Sequence, residues 1–173
     1  GVEALQIPMF GLYGACSTSG EALALASMSA AAGYGGTMIA VTSSHFGSAE
    51  KEFRFPLGYA NQRPLSSHWT VTGSGAFLVQ SAEEYRKQNT KSYFSNIRIT
   101  GVTVGKIVDY GLKDSQNMGA CMAPAAMDTI VQNFQDMERK EKDYDRIITG
   151  DLGSIGRTIL FDLIREKGYD ICE

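Results

Sequence analysis

Apolar side chains recur at two different spacings along the chain, and the two spacings predict helices and strands. After Pro124 they recur every three or four residues, with charged residues between them. This spacing predicts an amphipathic helix that runs to about Lys142. The same spacing over 155–164 predicts a final helix, which Gly168 closes.

A third helix is predicted from Thr18 to about Ala32, just before Gly33. Thr18 and Glu21 have the spacing of a capping box, in which a hydroxyl and a carboxylate satisfy free amides at a helix start. A short polar helix or turn is predicted over 81–88.

Shorter apolar runs predict the strands. Residues 37–43 are nearly all apolar in their middle, which is typical of a strand buried on both faces, as in a parallel sheet. The other predicted strands are 9–13, 69–79, 97–104 and 143–149, and another begins at 169–172. Because strands and helices alternate, the sequence predicts an α/β fold with a mixed or mostly parallel sheet.

Composition excludes several classes of function. The chain has 173 residues, enough for one well-filled core, and its net charge of −3 without a basic cluster argues against nucleic-acid binding. Its longest apolar stretch, 22–32, is too short to cross a membrane. Three cysteines and two histidines without metal-like spacing argue against zinc and favour a reducing compartment.

Cys16 is the first candidate functional residue. It lies between a predicted strand and a helix of small residues, where the helix dipole and the first amides favour a thiolate. Small neighbours would allow a ligand to approach the sulfur. Nucleophilic catalysis also needs a base, so a buried structural cysteine remains the alternative.

The motifs around Cys16 extend into a family resemblance. FGLYGACSTSGEALALASMSAAAG, TMIAVTSSH and WTVTGSGAFLV resemble the nucleophile region and a glycine-rich strand of thiolases and β-ketoacyl synthases. VTSSHFGSAEKEFRFPLGYANQRPLSSHWTVTGSG, DSQNMGACMAPAAMDTI and DRIITGDLGSIGRTILFDLI are similar to the stage V sporulation protein AD family. The resemblance covers nearly the whole chain.

The resemblance implies a thiolase-like layered αβαβα fold made of two related halves. Residues 1–110 would form most of the first half and 111–173 the beginning of the second. The fold would then be incomplete at both ends of this chain.

The resemblance also implies binding rather than catalysis. Condensing enzymes present a histidine and an asparagine before a helix of the second half, and the corresponding positions here are Gly150 and Gly153. Neither glycine has a side chain that serves as a base or an oxyanion donor. We therefore expect no catalytic residues. An acyltransferase that uses Cys16 is the alternative, and a scaffold without a ligand is a third possibility.

The ligand implied by the family is dipicolinic acid (pyridine-2,6-dicarboxylate), free or as its calcium chelate. A flat dicarboxylate needs cationic or amide donors and an apolar slot. The expected contacts are Cys16, Ser43, Ser44, His45, Arg54, Asn61 and Arg63. His45 is also a candidate base near Cys16, although a loop histidine bonded to backbone is an equal alternative. In thiolase folds the long loop after this strand commonly packs at the dimer interface, which is a strong alternative for Arg54 and Arg63.

The family context adds partners and a location. It implies a homodimer that works with membrane proteins of the same spore uptake system, peripheral to the spore inner membrane. No resident cofactor or metal is expected.

Overall fold

The computed structural model of the chain describes residues 2–45, 47, 65–66, 72–88 and 97–172. These residues form α-helices and β-strands, joined by short 3-10 turns and extended segments. In chain order the elements are α1 (Thr18–Ala31), β1 (Thr37–Ser43), β2 (Ser74–Gln80), α2 (Ala82–Gln88), α3 (Met118–Asp136) and α4 (Gly153–Glu166). The mixture of helix and strand confirms the α/β character of the fold, while the thiolase-like layering stays a prediction.

The chain divides into two compact units. The first consists of Gly1–Ser43 with Ser74–Arg98, and the second of Ser44–Gly73 with Ile99–Glu173. Each unit has its own hydrophobic core and is described separately. The predicted halves, 1–110 and 111–173, stay a prediction.

In the first unit α1 packs on one face of the β1–β2 sheet through alanines. Ala22, Ala26 and Ala30 repeat every four residues and are buried, and Ala40 of β1 is buried beneath the helix. Their small side chains allow the helix axis to lie close to the sheet. The spacing of alanines therefore decides which face of α1 meets the strands.

The end of α1 was predicted correctly. Gly33 has a φ of 79°, its amide donates to the Ala30 carbonyl, and the amide of Tyr34 donates to the Ser29 carbonyl. This is a Schellman motif, which satisfies carbonyls left free at a helix end and favours glycine at the left-handed position.

The sheet differs from the prediction in direction and in burial. β1 and β2 pair antiparallel, from Thr37 opposite Gln80 to Ser43 opposite Ser74, and no parallel pairing occurs among the described residues. On the face away from α1, Val41 and Leu78 are each 62% exposed. A continuous apolar run favours a strand buried on both faces, but it does not fix the direction of the neighbouring strand, which depends on the route of the connecting chain.

In the second unit α3 and α4 cross at a glycine–glycine contact. Gly119 and Gly156 are buried, and a Cβ on Gly156 would lie only 2.7 Å from the Gly119 Cα. Beside this contact the core contains Leu152, Leu160 and Ile164, each at most 6% exposed. Each of these side chains contributes about 1.5–3 kcal/mol when buried.

Helix α3 begins earlier and ends earlier than predicted. Its start at Met118 is capped by Asn117, whose Oδ1 accepts from the Ala120 amide at 3.1 Å, so Pro124 lies inside the helix. It ends at Asp136 because Glu138 adopts a left-handed φ of 51°. The predictions of α4 and of a short helix near 81–88 are confirmed within a few residues.

An extended segment, 99–107, lies along α3. Thr103 Oγ1 accepts from Asn133 Nδ2 at 2.8 Å, and the Lys106 ammonium pairs with Asp128 at 2.9 Å. Residues later in the segment thus contact residues earlier in α3. The segment therefore runs antiparallel to the helix.

A second extended segment, 144–150, lies along α3 in the same direction. The Tyr144 hydroxyl donates to Asn133 Oδ1 at 2.7 Å, and a Cβ on Gly150 would lie 3.4 Å from Met122 Cε. Both segments run against the helix and hence parallel to each other. This is the strand direction of a strand–helix–strand unit.

The predicted strands at 9–13, 97–104, 143–149 and 169–172 are nevertheless not formed. Within the described chain, no backbone hydrogen bond joins the 99–107 and 144–150 segments. Ile107 and Ile148 are 96% and 89% exposed. A strand needs a neighbour for its amides and carbonyls, and apolar alternation alone cannot supply one.

Candidate functional site

Cys16 lies in the 3-10 turn Ala15–Ser17 that leads into α1, and its side chain is exposed. The alternative of a buried structural cysteine is therefore wrong. The preceding residue, Ala15, has a left-handed φ of 48°. An alanine in this conformation costs roughly 1–2 kcal/mol. The turn presents the thiol at the start of a helix.

The predicted capping box at the start of α1 is wrong. Thr18 Oγ1 donates to the Ala15 carbonyl and accepts from the Gly14 amide at 3.0 Å, while Ser17 Oγ donates to Glu21 Oε1 at 2.8 Å. The tight turn before the helix brings these hydroxyls against local backbone and against Glu21. The side chains stabilise the turn that holds Cys16 instead of capping α1.

Ser43, Ser44 and His45 follow one another at the end of β1. Ser43 stands opposite Ser74 in the sheet, and the Ser44 amide donates to the Gly73 carbonyl at 2.8 Å. The Gly73 amide in turn donates to Ser44 Oγ at 3.1 Å. Ser44 is thus engaged with backbone.

His45 Nδ1 accepts from the Gly47 amide at 3.0 Å. Accepting at Nδ1 places the ring proton of the neutral imidazole on Nε2. This is the backbone-bonded loop histidine that was one of the two alternatives. Cys16 belongs to the first unit and His45 to the second, so their predicted proximity stays a prediction.

Three of the expected ligand contacts, Arg54, Asn61 and Arg63, lie outside the described residues. Their roles stay predictions.

The second unit contains a half-open groove between segment 144–153, the outer face of α4 and residues 170–171. Its volume is about 960 Å³, near the upper end of the range for small-molecule sites. We call it the α4 groove. Gly150 and Gly153 both line it, at the turn where segment 144–150 leads into α4.

The α4 groove has an apolar floor and a charged rim. Leu152 and Leu160 are buried beneath it, and Phe161 forms part of a wall. Arg146 and Arg157 are exposed on its rim, and the Arg157 guanidinium lies 5.8 Å from the centre of the Phe161 ring. The rim thus combines positive charge with aromatic surface.

Two carboxylates of the groove are engaged by backbone. Asp151 Oδ1 accepts from the Gly153 amide at 2.9 Å, and Asp170 Oδ1 from the Cys172 amide at 3.1 Å. Hydrogen bonds from the thiol and then the amide of Cys172, with the charge of Arg165, hold the pKa of Asp170 below its ordinary value. Asp170 therefore stays ionised near neutral pH.

The groove differs from a thiolase-type active site in the side chains that line it. None of the described residues that line it is a cysteine, histidine or serine, and the Thr149 hydroxyl donates to the Gly150 carbonyl at 2.8 Å. The groove thus combines an apolar floor and an aromatic wall with a rim that carries both positive and negative side chains, as small-molecule sites do.

Sequence reasoning missed Arg146 and Arg157 as candidate site residues. The sequence did contain a signal for them. Both arginines flank the Gly150–Gly153 turn, which directly follows the predicted strand 143–149. In α/β folds the end of such a strand commonly carries a ligand site.

Two kinds of feature are absent from the described residues. No group of three or more histidine, cysteine, aspartate or glutamate side chains is arranged to hold a metal ion. No described helix is long and apolar enough to span a membrane.

Comparison with known proteins assigns the family. The family described as stage V sporulation protein AD (SpoVAD) matches residues 1–173. Stage V sporulation protein AD from Bacillus subtilis (strain 168) is 43% identical over 167 residues, which are 96% of this chain and 46% of that protein. The chain thus spans about half the length of this curated relative. It belongs to the stage V sporulation protein AD family.

Proposed function

We propose that the protein binds dipicolinic acid during spore formation and performs no acyl transfer. The observation that carries this proposal is the α4 groove, where Gly150 and Gly153 occupy the positions at which the thiolase resemblance places a catalytic histidine and asparagine. The groove has space for a ligand and no base of the expected kind. Family membership supports the role in sporulation.

The ligand is proposed from the resemblance and from the chemistry of the candidate residues. Cys16, Ser43, Ser44, His45, Arg54, Asn61 and Arg63 remain the proposed contacts from the nucleophile region. The thiolase-like layered fold, the homodimer, the membrane partners of the uptake system and the peripheral place at the spore inner membrane belong to the same proposal.

Isothermal titration calorimetry tests the ligand directly. A family-length protein that carries this sequence is titrated with dipicolinate, with and without calcium, and with benzoate as a control ligand. We expect saturable binding of dipicolinate and none of benzoate. A folded protein that takes up no dipicolinate in either condition refutes the proposal.

The geometry of Cys16 favours one alternative function. Its thiol is exposed at a helix start, after an alanine held in a left-handed conformation. Backbone strain of this kind is common at functional sites. An acyltransferase would form a thioester on Cys16 with acyl-CoA, and intact-protein mass spectrometry would detect an acyl adduct that Cys16→Ala abolishes. We expect no such adduct.

A scaffold without a ligand makes a different prediction. In spores that carry His45→Ala together with Arg63→Ala, solute accumulation would then be unchanged. We expect it to fall.

A further inference from the structure

The side-chain amide of Asn133 joins α3 to two distant parts of the chain at once. Its Nδ2 donates to Thr103 Oγ1 at 2.8 Å, and its Oδ1 accepts from the Tyr144 hydroxyl at 2.7 Å. All three residues are half-buried. An amide suits this place, because it carries a donor and an acceptor on one planar group.

The hydrogen bond to Tyr144 anchors segment 144–150, which forms one wall of the α4 groove. The centre of the Tyr144 ring lies 5.8 Å from that of Phe134 on α3, and the Arg139 guanidinium lies 5.6 Å from it. Within the described chain, the backbone of 145–150 forms no hydrogen bond with the backbone of another segment. The path of the wall toward the turn before α4 therefore depends on how Tyr144 is held.

Segment 99–107 is anchored at the same amide but does not line the groove. Its recorded polar contacts with α3 are the bond between Thr103 and Asn133 and the ion pair of Lys106 with Asp128. Among the described residues, Thr103 and Tyr144 have no recorded contact with each other. The link between the two segments thus passes through Asn133.

Each of the two hydrogen bonds holds the amide in place for the other. The terminal torsion of an asparagine is soft, and partners at both ends of the amide fix its orientation. Hydrogen bonds in a chain also polarise and strengthen one another. Loss of the Thr103 hydroxyl should therefore weaken the bond between Asn133 and Tyr144.

We propose that Asn133 is a positioning residue that couples segment 99–107 to the wall of the α4 groove. A change at Thr103 passes through the amide to Tyr144 and from there to the wall. Any partner that displaces segment 99–107 would act on the groove by the same route. This inference does not depend on the ligand of the proposed function.

Proteolysis of the native protein by trypsin tests the coupling in a family-length protein that carries this sequence. Cleavage after Arg146, followed by mass spectrometry, reports release of the wall. Cleavage after Arg157, inside α4, requires the helix to unwind and reports opening of the whole unit. Tyr144→Phe should speed cleavage after Arg146 roughly three- to tenfold, as expected for the loss of one neutral hydrogen bond, and leave cleavage after Arg157 unchanged.

Thr103→Val is the decisive variant, because it removes a hydroxyl outside the wall. It should speed cleavage after Arg146 by about twofold or more, the factor for a weak coupling within one hydrogen-bond network. In the Asn133→Leu background the same substitution should add nothing. Gln132→Leu is the matched control, since it removes an amide of α3 whose recorded bond is to Asp136, and it should change neither rate.

Two results would overturn the inference. If Thr103→Val leaves cleavage after Arg146 at the rate of the parent, the two segments are not coupled. If cleavage after Arg146 and after Arg157 rises equally in Tyr144→Phe and Thr103→Val, the amide of Asn133 only stabilises the whole unit and does not position the wall.

Discussion

The glycine contact between α3 and α4 predicts that a single methyl group destabilises the second unit. In Gly156→Ala the new Cβ would lie 2.7 Å from the Gly119 Cα and 2.9 Å from its carbonyl carbon. Carbon atoms pack best at about 3.5–4.0 Å, so the helices must separate by roughly 1 Å. Both obstructing atoms are backbone and cannot rotate away.

The size of the effect follows from two opposing terms. Overpacking a well-filled core costs about 1–3 kcal/mol, and the upper end applies where backbone meets backbone. Alanine is a better helix former than glycine by about 1 kcal/mol. We therefore expect Gly156→Ala to lower the free energy of unfolding by about 2 kcal/mol.

Urea denaturation followed by circular dichroism at 222 nm measures this change. Gly20→Ala in α1 is the matched control, because no atom outside its own helix backbone and chain neighbours lies within 4 Å of the Cβ it would add. The control is expected to gain about 0.5–1 kcal/mol. The packing argument is refuted if Gly156→Ala is as stable as the parent or shows the same gain as the control.

Four further predictions concern other parts of the second unit. Glu138→Gly should raise the free energy of unfolding by about 0.5–1 kcal/mol, because glycine relieves the left-handed φ of 51°; an equal gain in Glu138→Ala would contradict this reason. Asn117→Ala should lower it by about 1 kcal/mol, since the hydrogen bond from the Ala120 amide is lost, whereas Asn117→Ser should retain most of the stability. Desolvation and then the hydrogen bond with Asp170 raise the pKa of the Cys172 thiol. Asp170→Asn should therefore lower that pKa and speed the alkylation of Cys172 by iodoacetamide at pH 8. An unchanged rate would show that Asp170 does not affect the thiol. In the parent, folding lowers the pKa of Asp170 below its ordinary value of 3.8, so the ionised carboxylate stabilises the fold above that value. This stabilisation is lost as the pH falls through the lower pKa of the folded state. Acid titration of the free energy of unfolding in the parent and in Asp170→Asn measures the difference.

Much of the helical structure was predictable from the sequence. The apolar spacing within α3 and α4 and the glycine at position 33 identified these helices and the end of α1. Helix hydrogen bonds join residues four apart, so the information that decides them lies within a short stretch of chain. The errors at the ends of α3 have a local cause as well, because Asn117 caps it and the left-handed Glu138 terminates it.

The candidate site was predictable only in part. The glycines at 150 and 153 were singled out by resemblance, and the structure places both in a groove. Arg146 and Arg157 were not identified, because they lie eleven residues apart in the sequence and only the packing of α4 brings both to one rim. For His45, the sequence left two alternatives, and the hydrogen bond from Gly47 identifies its local role.

The sequence by itself determined where the principal helices lie, which face of each is apolar and which family the chain resembles. Only the tertiary structure decided that β1 and β2 pair antiparallel, that other apolar runs stay extended without a ladder, and that α3 meets α4 through two glycines. The physical reason is the range of the interactions. A helix satisfies its own backbone, whereas a strand, a helix crossing or a groove requires partners from distant parts of the chain.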